Sequence, residues 1–173
     1  TGNVTLNPTG TLAQTAPIAA SSLELLGVGV SHALTNASNA IGTVAANTGS
    51  IDLVNNRDLT VGTAGTTSGI TTTGNLSLYA GGGGDLKVVQ NISKAGSGAA
   101  TAALRADNSV VVNSGAQVGV TGSDVFNVIV NADRDGSGAG QIVMNAGSRI
   151  ASNGGDITLG GGADPLSNPA VGV

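Results

Sequence analysis

The residues best suited to chemistry sit in Asn131-Ala132-Asp133-Arg134-Asp135-Gly136. Asn131, Asp133 and Asp135 place side-chain oxygens at alternate positions, and Gly136 supplies a turn. A calcium loop opens this way, because a hard cation is wrapped by several oxygens from one short segment. The twelfth position of such a loop carries a bidentate carboxylate, and here it is Ile142. Arg134 also offsets the local negative charge. The competing reading is a polar loop between Val130 and Gln141 whose carboxylates cap turns. Calcium is the one cofactor the sequence suggests, set against none at all. Gly81-Gly82-Gly83-Gly84-Asp85 and Gly160-Gly161-Gly162-Ala163-Asp164 approach the G-G-x-G-x-D calcium repeat. In the first the Asp arrives one place early, and in the second Ala163 replaces a Gly, so both read as turns. No Gly run precedes Gly-Lys-Ser/Thr, which excludes a phosphate loop.

Proton transfer needs clustered acids and bases. The chain has one His, His32, and its lone Glu is Glu24. Asp52 and Asp58 flank Arg57 and can align with Asp85 or Lys87 on one face. That set is either the carboxylate cluster of a polysaccharide lyase or hydrolase, or solvated charge with a short ion pair. His32 follows Val30 in an alternating stretch and reads as a surface polar residue. Sugar clefts stack their ligands on aromatic rings, and Tyr79 is the only Tyr. Thr66-Thr67 and Thr71-Thr72-Thr73 lack the T-x-T rows on successive coils that an ice-binding face requires, and suit solvent-facing strand positions. The sequons at Asn3, Asn36, Asn75 and Asn91 are expected by chance in a chain so rich in Asn and Ser. No catalytic residue is assigned, and the chain reads as a non-enzyme.

The elements that must position these groups are strands. Of 173 residues, 29 are Gly, only 9% are charged and 1% are aromatic, while 40% are hydrophobic. Such a chain has enough apolar residues to fold but lacks the large side chains of a thick core. Leu59/Val61, Leu76/Leu78, Leu86/Val88, Val110/Val112, Val118/Val120, Ile142/Met144 and Ile157/Leu159 alternate at period two, bounded by Gly, Asn and Ser. The spacing predicts strands of three to five residues, with a helical turn allowed only at Ile18–Leu26. Val110–Val118 recurs at Ile142–Ile150, an offset of 142 − 110 = 32, and continues as Gly122–Val125 against Gly154–Ile157. Ile51–Asn56 matches Leu86–Asn91, an offset of 86 − 51 = 35. Recurring Asn-Gly corners favour coils over hairpins and predict Asn113 stacked on Asn145. The expected fold is all-β: a right-handed parallel β-helix of roughly five to seven coils, residues 1–173 forming one segment, with a loop near Ala132–Gly140 projecting from its side.

A net charge of −4 with six scattered Lys and Arg argues against nucleic acid as a partner. No apolar run reaches the ~18 residues of a membrane span, and no signal peptide opens the chain. The absence of Cys excludes disulfides. Both termini fall in mid-pattern, so the segment is expected to be part of a much longer repetitive protein.

Gly154-Gly155-Asp156-Ile157-Thr158-Leu159-Gly160-Gly161-Gly162 resembles the G-[GN]-x-I-x-[LI] strand units of filamentous haemagglutinin-like exoproteins. Ala46–Leu53 and Leu59–Thr63 are similar. The likeness runs from about Gly2 to Gly172 and is one of repeat texture. It implies a secreted β-helical passenger of a two-partner secretion system, exported through an outer-membrane transporter and held at or released from a Gram-negative surface. The implied role is adhesion to host cells, matrix or other bacteria. No catalytic residue is carried over.

Overall fold

A computed structural model describes residues 2–121 and 124–169. In chain order the strands are β1 Asn3–Leu6, β2 Leu12–Ala13, β3 Ala19–Leu34, β4 Ala40–Asn55, β5 Leu59–Val61, β6 Thr63–Ala64, β7 Thr67–Ser68, β8 Ile70–Thr72, β9 Leu76–Ala80, β10 Leu86–Val88, β11 Ile92–Lys94, β12 Ala100–Ala106, β13 Val110–Val112, β14 Gln117–Val120, β15 Phe126–Ala132, β16 Ile142–Met144, β17 Arg149–Ile150 and β18 Ile157–Gly161. No helix occurs among the described residues. Apart from the β6–β7 hairpin, every named strand pairing is parallel. The chain is a β-solenoid of about six turns.

Each coil contributes to three faces, and on each face one inward position repeats along the axis. The first row is Val4, Leu23, Val44, Val61, Val88, Val112 and Met144. The second is Leu6, Leu25, Ala46, Ile70, Ile92, Val118 and Ile150. The third is Leu12, His32, Ile51, Leu76, Ala102, Val128 and Ile157. Alternation makes this possible, since successive side chains of a strand point to opposite faces. A small or branched aliphatic at every place in these rows except those of His32 and Met144 then fills a narrow core, each one contributing roughly 1.5–3 kcal/mol when fully buried.

The corners are held by side-chain oxygens. Asn75 Oδ1 accepts the N–H of Thr101 at 3.0 Å, Asn91 Oδ1 that of Gln117 at 2.9 Å, and Asn127 Oδ1 that of Asp156 at 2.9 Å. In each pair the Asn immediately precedes the strand register of one coil and its partner the same place one coil on. The amide thus adds a side-chain hydrogen bond between neighbouring coils at the start of the shared register. Buried Asn55 does similar work within a coil, bonding both N–H and C=O of Ile41.

Several expectations are corrected. β3 and β4 are 16 residues each and turn corners without leaving strand geometry. Ile18–Leu26 forms no helical turn, because Leu23 and Leu25 must alternate inward against Val44 and Ala46. The 110/142 repeat is a true stack, Val110 on Ile142 and Val112 on Met144. The 51/86 match is not: Ile51 stacks on Leu76, and Leu86 on Leu59. Asn113 and Asn145 share a corner, but no side-chain bond joins them; Asn145 N–H instead donates to Val112 O at 3.0 Å. In the Gly122–Val125 match, Gly122 and Ser123 lie outside the described residues.

Candidate functional site

Two of the three calcium candidates, Asp133 and Asp135, accept hydrogen bonds within their own loop. Asp133, whose φ is 51°, follows β15 at the start of the loop. Its Oδ1 accepts Gly138 N–H at 2.8 Å and the Ser137 hydroxyl at 3.0 Å. Burial pushes its carboxyl up, and the bonds from Gly138 and Ser137 outweigh that and leave it low. Asp135 Oδ1 accepts Ser137 N–H at 3.1 Å. Both carboxylates therefore cap turns in the loop, where residues 135–139 are exposed. Asn131 is buried on β15 and its Oδ1 has no hydrogen-bond partner. Among the described residues no group of three or more His, Cys, Asp or Glu is placed to hold a metal.

The charged set of the first face is partly gathered. Lys87 Nζ lies 3.2 Å from Asp85 and 3.6 Å from Asp58. The bond to Asp85 is the main influence raising the Lys87 ammonium. Asp58 Oδ1 also accepts Asp85 N–H at 3.0 Å, and Asp85 Oδ1 accepts Ser109 N–H at 3.1 Å and the Asn108 amide at 2.7 Å. This is an axial column tying three coils together. Gly82 and Gly83, at φ of 63° and 75°, make the turn that delivers Asp85 to it. Arg57 is exposed and takes no side-chain partner, and Asp52 lies elsewhere.

Three groups occupy places the sequence did not suggest. His32 is 1% exposed and stands in the third inward row between Leu12 and Ile51, not on the surface. Burial pushes its imidazole down, Nε2 lies 3.1 Å from Leu26 O, and Nδ1 has no partner. Glu24 points outward from β3 yet is covered by the β6–β7 hairpin. Its carboxylate accepts the hydroxyl of Thr67 at 2.8 Å, that of Thr5 at 2.9 Å, and the N–H groups of Thr66 and Thr67 at 3.0 and 3.1 Å. The Thr67 hydroxyl, then that of Thr5, hold this carboxyl below its usual range. Lys94 is also buried, donating to Gly96 O at 3.1 Å with Asp124 at 4.0 Å.

Asp52 belongs to a groove of about 470 Å³ on the outer side of the third face, lined by Ser31, Ala33, Ser50, Asn75, Ser77 and Arg105 among others. The register sets Ala33 beside Asp52 and Asp52 beside Ser77. Arg105, one coil further, reaches back so that Nη1 stands 3.4 Å from Ser77 Oγ. No ion pair joins Arg105 to Asp52 among the described residues, so a guanidinium and a carboxylate stand in one groove without neutralising each other. Comparison with protein-family models, curated proteins and solved structures found no match to this chain.

Proposed function

We propose that this chain is a structural and adhesive shaft segment of a secreted exoprotein at a Gram-negative cell surface. On this reading it is exported through an outer-membrane transporter and attaches to host cells, matrix or neighbouring bacteria. The observation that supports it is the repetition of three inward rows, coil after coil, through parallel pairing. A stack of that kind lengthens along one axis simply by adding coils, which suits a spacer. No helix among the described residues is long and apolar enough to cross a membrane. An antibody raised against the chain is expected to label intact cells of the organism that makes it, or their culture medium. Signal confined to the cytoplasm after lysis overturns the proposal.

β-Solenoids also carry enzymes, and the groove holding Asp52 and Arg105 is the feature that favours a carbohydrate-active alternative. Turnover of uronic-acid polymers by the purified chain would replace the shaft reading with that one.

A further inference from the structure

We infer that the groove across Ala33, Asp52, Ser77 and Arg105 is a binding site for an acidic saccharide, whose carboxylate sits on the Arg105 guanidinium. The inference needs only the groove and is independent of where the protein resides.

The groove holds binding groups whose hydrogen-bonding capacity is mostly unspent. Arg105 has five N–H donors, and its side chain makes only the long bond to Ser77. Asp52 is exposed, and its carboxylate accepts no hydrogen bond and forms no ion pair among the described residues. The hydroxyls of Ser31 and Ser50 make no side-chain hydrogen bond there either. Asn75 uses its Oδ1 on Thr101 N–H and leaves its amide donors free. A small outward residue, Ala33 next to Asp52, keeps the space open.

The pattern selects among ligand classes. A guanidinium matches a planar carboxylate with two parallel bonds. Asp52, one rung from the Ser77 that Arg105 touches, opposes a second negative charge nearby and so disfavours a phosphate dianion. Instead it can accept from sugar hydroxyls, as the serines and Asn75 can donate to or accept from them. The groove crosses strands whose rungs recur at about 4.8 Å, close to the length of one pyranose unit, so consecutive sugars meet consecutive coils. A peptide binding by strand addition would need a free sheet edge. Here β4 is paired on both sides, with β3 and with β9, and offers none.

Titration calorimetry of the 173-residue chain with trigalacturonate tests this. Saturable binding with a dissociation constant on the order of millimolar is expected. Galactotriose, which lacks the carboxylates, should bind at least about tenfold more weakly, and Arg105→Gln should lose about tenfold for the acidic sugar. Ala33→Trp should fill the groove and abolish binding. Both sites face outward, so circular-dichroism melting curves should match that of the unaltered chain. The trisaccharide should be recovered intact. Absence of saturable heat, equal binding of the neutral sugar, or undiminished binding by a folded Arg105→Gln variant overturns the inference. Recovery of cleaved trisaccharide would support binding at the groove and would instead overturn the shaft reading.

Discussion

The middle of the solenoid and its last coil use the same kind of residue at the same inward places and bury them very differently. In the third row Leu76 and Ala102 are 1% and 0% exposed, whereas Ile157 is 46% exposed. One place further along, Leu78 and Leu104 are fully buried and Leu159 is 48% exposed. Val112 is buried and Met144, stacked on it, is 42% exposed. A coil therefore does not bury its own core. It is sealed by the coil on either side, and the last one among the described residues stacks on a neighbouring coil on one side only. Stability in such a stack resides largely in the interfaces between neighbours.

The sharpest way to break this contrast is to make one truncation in both regions. Leu104→Ala empties space walled on both sides and is expected to cost roughly 2–5 kcal/mol, whereas Leu159→Ala, already half in water, should cost about 1 kcal/mol or less. Urea unfolding with equal m-values would measure both, and equal losses would refute the difference between centre and end.

A smaller effect comes from the opposite end of the row. Burial lowers the His32 pKa below its ordinary 6.5. The unfolded chain then takes up a proton first as pH falls through that value. Stability is therefore full above about pH 6.5 and declines below it until the folded pKa is passed. His32→Leu continues the row from Leu12 to Ile51 and should remove this decline between neutral and mildly acid pH. Thermal melts at two pH values decide it: an unchanged dependence in the variant would mean that His32 is not the group responsible.

The comparison also explains what was legible in the sequence. Alternating aliphatics between Gly and Asn corners suffice to announce coils, because every inward position asks for the same small set of side chains. That sameness hides which coil lies on which. Ile51 resembles Leu86 as well as it does Leu76, and only the corner lengths decide that Leu76 is its partner. Those lengths vary: Leu59 to Leu86 is 86 − 59 = 27, Leu86 to Val110 is 110 − 86 = 24, and Val110 to Ile142 is 142 − 110 = 32. Where no long insertion or corner shift intervened, as from Val110 to Val118 and from Ile142 to Ile150, the repeat could be read directly.

The burial of His32 is hidden in the sequence for a related reason. Val28, Val30 and His32 look like one alternating run, but the pairing jumps between Gly27 and Ser31, where Gly27 and Gly29 take φ of 109° and 79°. Val28 lies within that corner and is 74% exposed; beyond it the even positions face the core, so His32 is buried. Of the candidate groove, Asp52 could be singled out as a charge, whereas nothing in the sequence joins it to Arg105. The link runs through the coil between, with Asp52 beside Ser77 and Arg105 reaching back to that serine. In the calcium motif the spacing is real, and the loop's own N–H and hydroxyl groups bond Oδ1 of Asp133 while an N–H bonds Oδ1 of Asp135, a turn-capping pattern that spacing alone does not reveal.

Methyl-selective nuclear Overhauser measurements on the whole chain examine the stacking itself. Strong cross-peaks are expected along Val61, Val88, Val112 and Met144, and along Ile70, Ile92, Val118 and Ile150, residues that only coil-on-coil register brings together. Cross-peaks linking each strand instead to its sequence neighbour in antiparallel order, with none between Val112 and Met144, would contradict the solenoid and everything built on it.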